Sequence, residues 1–294
     1  MNSLRPEVIN LPIVVPKRPL ITFVVAVFNA SKTLQQCLSS VTKQSSKNFE
    51  LVVIDGGSSD GSVDILRGQA SHFSYWVSES DRGVYDAWNK ALRHAQGEWI
   101  CFLGADDYLW SSDVVQQICQ KLADLSAQTL IAYGKIQLLD RDGNPMFELG
   151  EPWDKLENQF KKKMCLPHPA VLHRRSLFDT LGGFDPEFRI AGDYEFLIRS
   201  MKGQTPQFLG DLVVTAMRPG GLSSNPSNTI RGLKEAYRAQ QKNGQKVLWL
   251  PRLMAWLRVY MRLIIMRLFG IRATSVLLDF GRRCMGLPAY WTKI

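Results

Sequence analysis

The sequence has few cysteines, and none of them has metal-binding spacing. Its five cysteines lie far apart and include no C-x-x-C pair, which argues against a disulfide framework and a thiolate zinc site. A reducing cytoplasm is the simpler setting. The N-terminus also has no typical cleaved leader, because its apolar run from Val8 to Val15 is short, contains Pro12 and lacks a small-residue cleavage site. We expect residues 1–19 to form a flexible extension.

Two glycine-rich phosphate-binding motifs are missing as well. The chain contains neither G-x-x-x-x-G-K-[ST] nor G-x-G-x-x-G. A phosphorylated ligand would therefore need another counter-charge. A divalent cation held by carboxylates is the natural substitute.

Acidic residues are scarce near the C-terminus. Residues 245–294 contain nine Lys and Arg but a single acid, Asp279, and the whole chain of 294 residues has a net charge of +9. The positive charge is therefore concentrated in this tail. With 45% hydrophobic and 21% charged residues, the chain is too apolar to be disordered, which favours one large domain with an appendage.

Hydrophobic periodicity predicts alternating strands and helices. Ile21–Phe28 and Leu51–Ile54 are short apolar runs rich in β-branched residues, typical of strands covered on both faces. Helical spacing follows each run, and this rhythm predicts a parallel sheet in an α/β fold. The D-G step at Asp142 and Gly143 predicts a hairpin over Ile136–Leu149.

Two adjacent acids follow a predicted buried strand. The strand Trp99–Leu103 ends at Gly104, and Asp106 and Asp107 come directly after Ala105. Ligands bind at the carboxyl ends of strands in open α/β sheets. Mg²⁺ or Mn²⁺ binds one or two carboxylates there and completes its coordination with phosphate and water. A solvated turn that caps the next helix fits the same spacing, so the pair alone leaves both interpretations open.

Five segments of the chain, in this order, resemble the family 2 glycosyltransferases. They are VVAVFNA, VVIDGGSSDGS, SDRGVYDAWNKAL, GEWICFLGADD and GGFDPEFRIAGDYEFLIR. The resemblance runs from about Ile21 to Gly221 and is greatest to members that build bacterial capsule, O-antigen and exopolysaccharide. It implies a GT-A fold over residues 20–240, with a Rossmann-like, mostly parallel sheet flanked by helices. Residues 241–294 would then form a basic amphipathic helical tail.

The resemblance also implies a mechanism. The enzyme would be an inverting, metal-dependent transferase that moves a sugar from a nucleotide-sugar donor to a saccharide or lipid-linked saccharide. Asp107 would hold Mg²⁺ or Mn²⁺, and Asp106 would face the ribose, the diphosphate and the metal. Asp193 would be the general base for the acceptor hydroxyl. An acid that only interacts with a helix dipole is the alternative interpretation of Asp193.

The family pattern implies a donor pocket as well. Its residues here would be Phe28, Asn29, Asp55, Asp81, Gly83, Asp86 and Asn89. Asp86 and Asn89 fit the exposed face of a helix equally well. The acid pair that often follows the second strand is Asp55-Gly56 here, so one base-reading carboxylate is missing. The nucleotide is therefore not fixed, with UDP as the default and GDP and dTDP as alternatives.

Two other side chains have both a functional and a structural interpretation. His168 lies in a Pro-His-Pro loop that would contact the diphosphate, although a single histidine is more often structural. Trp153 would stack on the acceptor sugar, whereas Trp99 belongs to a strand and is expected in the core.

The tail predicts a helix that lies on a membrane surface. Met254–Phe269 would span about 24 Å, but it contains three arginines, which are costly at the centre of a bilayer. A helical projection groups Arg258, Arg262 and Arg272 and places Arg267 nearly opposite. The aromatic residues suited to headgroup depth are Trp249, Trp256 and Tyr260.

These features predict a cytoplasmic protein that is peripheral on the inner face of the cytoplasmic membrane. Packing of the tail on the main domain or on a second subunit is the alternative.

Two other functions have some support in the sequence. A nucleotidyltransferase would also use strand-end carboxylates and a metal, but it would release pyrophosphate rather than a nucleoside diphosphate. The pI near 9.4 is typical of nucleic-acid-binding proteins. However, the arginines of the tail alternate with Leu, Ile and Met, and the rest of the chain is nearly neutral. We therefore expect no nucleic-acid partner.

Overall fold

The computed structural model describes residues 18–221, 228–245 and 249–293, without the side chains of 249–251. The predictions for residues 1–17 and for the Trp249 side chain fall outside these residues. The strands are β1 Ile21–Val27, β2 Phe49–Asp55, β3 Tyr75–Ser78, β4 Trp99–Gly104, β5 Tyr108–Leu109, β6 Ile131–Leu139, β7 Pro145–Leu149, β8 Val171–Arg174 and β9 Gln207–Met217. The helices are α1 Ser31–Thr42, α2 Ser62–Gln69, α3 Val84–Leu92, α4 Val114–Ala123, α5 Trp153–Phe160, α6 Ser176–Leu181, α7 Gly192–Ser200, α8 Thr229–Lys242 and α9 Trp249–Cys284.

The described strands form one sheet in the order β3-β2-β1-β4-β8-β6-β9-β5, and β7 pairs with β6. The first four strands are parallel. Beyond β4 the sheet is mixed, because β8 is antiparallel to both of its neighbours while β6 and β9 are parallel. The α/β prediction and the β6–β7 hairpin are confirmed. Apolar runs indicate where strands lie but not their direction, so the mixed half of the sheet was not predicted.

Helices cover both faces of the sheet. Successive strand side chains point to opposite faces, so Phe23 and Val25 join a core cluster with Leu34 of α1, while Val24 joins a second cluster with Trp88 of α3. All five of these side chains are buried. This two-sided burial explains why β1 is almost wholly apolar. Trp99 is also in the core, as predicted.

Three parallel strands end together at one edge of the sheet. Val27 pairs with Asp55, and Ala26 pairs with Gly104. The residues that follow each strand are therefore neighbours in space. This edge contains most of the candidate site.

The tail helix is interrupted and its end folds back. Gly270 has non-helical dihedral angles within α9 (φ 78°, ψ 171°), so Arg272 is not in helical phase with Arg258, and the predicted three-arginine cluster is wrong. The Arg262 guanidinium instead lies 4.0 Å from the ring centre of Trp291. The Arg141 amide donates a hydrogen bond to the Lys293 carbonyl at 3.1 Å. The C-terminal turn therefore lies against the β6–β7 hairpin.

Candidate active site

Asp106 and Asp107 converge over Gly104 at the end of β4. A Cβ at Gly104 would lie 2.6 Å from Asp106 Oδ1 and 2.9 Å from Asp107 Oδ2. The Asp107 amide donates to the Gly104 carbonyl at 3.1 Å, which closes a tight turn. The absent side chain of Gly104 therefore makes room for the two carboxylates.

The electrostatics of this pair favour a cation. Burial, and then the neighbouring Asp106, raise the pKa of Asp107 well above its usual range. Burial raises the pKa of Asp106 too, although Arg218 partly opposes this rise. Two carboxylates this close and this dehydrated are poorly stabilised as anions. A bound divalent cation would remove this penalty.

The donor set fits Mg²⁺ or Mn²⁺. Among the described residues, no group of three or more His, Cys, Asp or Glu side chains is placed to hold a metal, and the candidate ligands are the two carboxylates that converge over Gly104. Hard cations that retain water and bind substrate phosphate need only one or two protein carboxylates. Burial and the two aspartates raise the pKa of the nearby Cys37 thiol. Cys37 therefore stays protonated and donates weakly to the Gly104 carbonyl at 3.4 Å.

Asp55 shapes a turn instead of facing a ligand. Its carboxylate is fully buried and accepts hydrogen bonds from the Gly57 and Ser58 amides and from the Ser58 and Ser78 hydroxyls, at 2.5–3.0 Å. Four internal donors leave little capacity for a nucleotide. Direct contact of Asp55 with the donor therefore stays a prediction, and in this conformation its carboxylate orders the turn after β2.

The missing acid at position 56 has a steric explanation. A Cβ at Gly56 would lie 2.5 Å from Asp81 Oδ2. The other oxygen of Asp81 accepts a hydrogen bond from the Gly83 amide at 2.7 Å. Asp81 therefore places a carboxylate next to position 56, where this chain has no side chain.

Phe28 and Asn29 follow β1 at the same edge. The Phe28 side chain is 66% exposed and is therefore accessible to a ligand. Asn29 has a left-handed backbone (φ 49°), and its side-chain oxygen accepts from the Ser59 amide at 2.9 Å. The two residues remain candidates for contact with a nucleobase and a ribose.

Two predicted donor residues on α3 have structural partners. Asp86 accepts from the Arg82 amide at 3.0 Å and pairs with the Arg82 guanidinium at 3.3 Å. The Asn89 amide donates to the Phe184 carbonyl at 2.7 Å and accepts from the Phe184 amide at 2.8 Å. Asn89 therefore joins α3 to the loop before α7. Its role as a donor contact stays a prediction, because both polar atoms already have a partner in this conformation.

Asp193 lies in the first turn of α7, as predicted. The Tyr85 hydroxyl is placed to donate its hydrogen to both the Ile190 carbonyl at 2.8 Å and Asp193 Oδ1 at 3.2 Å. Burial raises the pKa of Tyr85 well above its usual value, and Asp193 raises it further. Tyr85 therefore stays protonated and ties the candidate base to α3. Motif spacing gave no indication of this contact.

His168 is part of a buried pair. Its Nε2 lies 3.2 Å from Nε2 of His173, and its ring stacks on Trp88. Burial lowers the pKa of both histidines, so both are neutral at neutral pH. The negative charge of Asp193 acts on His168 in the opposite direction. The geometry favours the structural interpretation of His168 beside the candidate base.

The structure places Trp153 beside the end of α7 that lies opposite Asp193. Trp153 lines a cavity of about 420 Å³ together with Met201 and Gln204, which follow the C-terminal end of α7. Asp193 lies at the other end of this helix, roughly 10 Å away along the helix axis. The acceptor contact predicted for Trp153 is therefore not supported.

Two other residues of the site were missed by motif reasoning. The Arg218 amide donates to Asp107 Oδ1 at 3.4 Å, and its guanidinium lies 5.6 Å from the ring centre of Tyr108. Glu235 of α8 accepts three backbone hydrogen bonds just before Asp193. Both residues lie far in sequence from the groups they contact. Only the tertiary fold brings them together.

The comparisons with known proteins agree with this architecture. The family model described as "Glycosyl transferase family 2" matches residues 22–181. The "PGL/p-HBAD biosynthesis glycosyltransferase" of Mycobacterium bovis is 32% identical over 211 residues, which cover 70% of this chain and 80% of the relative. An uncharacterized glycosyltransferase of Mycobacterium tuberculosis is 36% identical over 186 residues, covering 62% of this chain and 69% of the relative.

Solved structures of similar fold come from more distant proteins. Staphylococcus aureus TarS 1–349 in complex with UDP-GlcNAc has a TM-score of 0.60 at 16% identity, covering 90% of this chain and 77% of that one. The mannosyltransferase PcManGT from Pyrobaculum calidifontis, in complex with GDP-Man and Mn²⁺, has a TM-score of 0.58 at 20% identity, covering 94% and 83%. The predicted GT-A fold, with a helix at its C-terminal end, is confirmed.

Proposed function

Since the chain belongs to glycosyltransferase family 2, we propose that it transfers a sugar, with inversion, from a nucleotide-sugar donor to a saccharide or lipid-linked saccharide acceptor. Residues 20–240 are the proposed catalytic domain. The observation that carries the proposal is the convergence of Asp106 and Asp107 over Gly104 at the sheet edge. This geometry suits a cation and the diphosphate that it binds.

The proposed reaction needs only a few groups. The acceptor oxygen forms a bond to the anomeric carbon as the bond from that carbon to the diphosphate oxygen breaks on the opposite side. Asp193 takes the hydroxyl proton, and the nucleoside diphosphate leaves with the electron pair. The divalent cation at Asp106 and Asp107 would offset the negative charge that develops on the leaving group. Tyr85 would keep the Asp193 carboxylate in a fixed orientation.

The nucleotide of the donor is part of the proposal. UDP remains the default, and GDP and dTDP are alternatives, because the base-reading acid is absent at position 56 and Asp81 lies beside it. Related folds occur with UDP-GlcNAc in TarS and with GDP-Man and Mn²⁺ in PcManGT. Phe28, Asn29, Asp81 and Gly83 are the proposed donor-pocket residues.

Calorimetry tests the site directly. UDP, GDP and dTDP would each be titrated, with and without Mn²⁺, into the wild type and into Asp107→Asn. Asp113→Asn is the matched control, because it removes the same charge from an exposed helix-capping position nearby. We expect Mn²⁺-dependent binding of one nucleotide that is lost only in Asp107→Asn. If the wild type binds none of the three, the proposal fails. Pyrophosphate release in a donor assay would favour a nucleotidyltransferase.

We propose that the enzyme meets its acceptor at a membrane surface. None of the helices in the described ranges has the length and apolarity needed to cross a bilayer. Four side chains on α9 are nevertheless 53–68% exposed and share one helical face at about 100° per residue, namely Leu257, Met261, Ile264 and Leu268. Arg258 and Arg267 are exposed along the two edges of this apolar stripe. This arrangement suits an anionic lipid surface.

The only acid of residues 245–294, Asp279, is buried. Asp279 is 3% exposed and accepts hydrogen bonds from the backbone amides of Tyr290, Trp291 and Thr292 at 2.8–2.9 Å. The exposed charges of the tail are therefore positive. We propose that α9 holds the enzyme on the inner face of the cytoplasmic membrane, near a lipid-linked acceptor.

Vesicle co-sedimentation tests the membrane proposal. The wild type should pellet with vesicles that contain phosphatidylglycerol and far less with pure phosphatidylcholine. The double variant Met261→Glu/Ile264→Glu should stay in the supernatant. Leu149→Glu, at an exposed apolar position on β7, is the control and should pellet normally. Equal pelleting of all three proteins would contradict the proposal.

A further inference from the structure

Arg189 is an exposed cation in the loop before α7. Within the part of the chain that the structure describes, no acid pairs with its guanidinium. Nearby cations are already neutralised, since Arg82 pairs with Asp86 and Lys90 pairs with Glu79. A cation beside a cleft that would receive a diphosphate is therefore available to a ligand.

The guanidinium of Arg189 lies against the loop before α3. Its Nη1 is 2.8 Å from the position that a Cβ would take at Gly83. Gly83 has a φ of 111°, a conformation that side-chain-bearing residues rarely adopt. Glycine at this position therefore provides both the turn and the space for Arg189. The same loop contains Asp81, which receives the Gly83 amide hydrogen bond.

Glu235 holds the backbone of Arg189 from the opposite side. One oxygen of its carboxylate, which is only 8% exposed as a residue, accepts from the amides of Arg189, Ile190 and Ala191 at 3.0, 2.7 and 3.0 Å. Tyr85 holds the carbonyl of Ile190 from α3. The backbone that carries Arg189 is thus fixed from two helices. Such preorganisation lowers the entropic cost when a side chain binds a ligand.

We propose that Arg189 binds the diphosphate of the nucleotide-sugar donor, held in place by Glu235. A guanidinium forms paired, charge-assisted hydrogen bonds to phosphate oxygens. Arg189 lies on the Gly83 loop, which belongs to the proposed donor pocket. This contact would neutralise charge on the leaving group in addition to the cation proposed at Asp106 and Asp107. The inference rests on the proposed function and names a residue that this function had not included.

The test separates phosphate binding from base binding. Calorimetry would compare the nucleoside diphosphate that the wild type binds most tightly, in the presence of Mn²⁺, with the matching nucleoside. Arg189→Gln should weaken diphosphate binding by about 10- to 100-fold, the range of one or two charge-assisted hydrogen bonds. Nucleoside binding should not change. Arg238→Gln is the control, because it removes the same charge from a nearby residue that pairs with Glu187 instead.

Two more variants test whether binding depends on the positive charge of Arg189 or on the paired geometry of its guanidinium. Arg189→Lys retains the charge but not the paired geometry and should bind with intermediate affinity. Arg189→Ala should regain part of its transfer rate when guanidinium chloride is added at millimolar concentration. Unchanged diphosphate binding in Arg189→Gln would overturn the inference and leave the proposed function standing. Equal loss of nucleoside and diphosphate binding would also overturn it. A wild type that binds no nucleotide would instead refute the proposed function.

Discussion

Replacement of Gly104 by alanine should disable the proposed cation site while leaving the fold intact. Gly104 is not among the residues with positive φ, so its backbone accommodates alanine. The added methyl would lie 2.6 Å from Asp106 Oδ1 and 2.9 Å from Asp107 Oδ2, whereas ordinary van der Waals contact begins at 3.4 Å. Both carboxylates must therefore retreat, by about 0.8 and 0.5 Å respectively.

These displacements are large for a metal site. Ligand distances are held to within about 0.2 Å in working sites, and disturbed support of metal ligands typically costs about 10- to 100-fold in affinity. We expect Mn²⁺-dependent nucleotide binding by Gly104→Ala to weaken by this factor. The free energy of unfolding should fall by only about 1 kcal/mol, at the low end for overpacking, since both carboxylates lie at the sheet edge and can move.

Calorimetry and thermal unfolding would be measured on the same preparations. Gly68→Ala is the matched control, because a Cβ there meets nothing within 4 Å and the residue lies within α2. It should stabilise the protein by about 0.5–1 kcal/mol and leave nucleotide binding unchanged. Wild-type affinity in Gly104→Ala would refute the argument that the two carboxylates together bind the cation.

Three other predictions follow from particular contacts. Tyr85→Phe removes the hydroxyl beside Asp193. The kcat for sugar transfer should therefore fall roughly tenfold, with little change in the KM for the donor. An unchanged kcat would contradict a positioning role for Tyr85. Gly56→Asp should lower the Tm, because its Cβ would meet the Asp81 carboxylate. Adding Asp81→Gly should restore the Tm. If the effects of the two substitutions on stability were simply additive, a clash between positions 56 and 81 would be contradicted. Burial alone would raise the pKa of Asp279, but four hydrogen bonds from the C-terminal turn outweigh it and lower the pKa. The ionised carboxylate therefore stabilises the turn above about pH 4, and this stability is lost as the pH falls further. The protection factors of the turn amides, corrected for the intrinsic exchange rate at each pH, should fall with acid in the wild type and be low at every pH in Asp279→Asn.

Periodicity and motif order predicted much of the fold. The strand–helix rhythm, the hairpin over Ile136–Leu149 and the position of Asp193 at a helix start all follow from local patterns. These features depend on neighbouring residues alone, because apolar alternation and turn chemistry act over a few positions. The direction of β8 was not predictable in this way, since its partners β4 and β6 come from distant parts of the chain.

The residues of the candidate site were likewise predicted only in part from the sequence. Sequence spacing placed Asp106 and Asp107 after a buried strand, but it also assigned Asp55 and Asn89 to the donor. The folded chain uses the polar atoms of these two residues internally. A motif specifies which groups are present, not which hydrogen bonds they have already made. For Asn89 the answer depends on Phe184, which is 95 positions away. For Asp55 three of the four donors are local, and only the Ser78 hydroxyl, 23 positions away, is brought in by the fold.

The sequence by itself determined the family, the α/β architecture, the strand-end acid pair and the concentration of positive charge in the tail. The folded chain was needed to show that Gly104 makes room for both carboxylates, that Glu235 holds the loop before Asp193 and that Asp279 is buried under the C-terminal turn. The physical reason is that strands and turns are specified by local periodicity and backbone preference. The pairing and burial of a charged side chain depend instead on which distant residues the fold brings within hydrogen-bond distance.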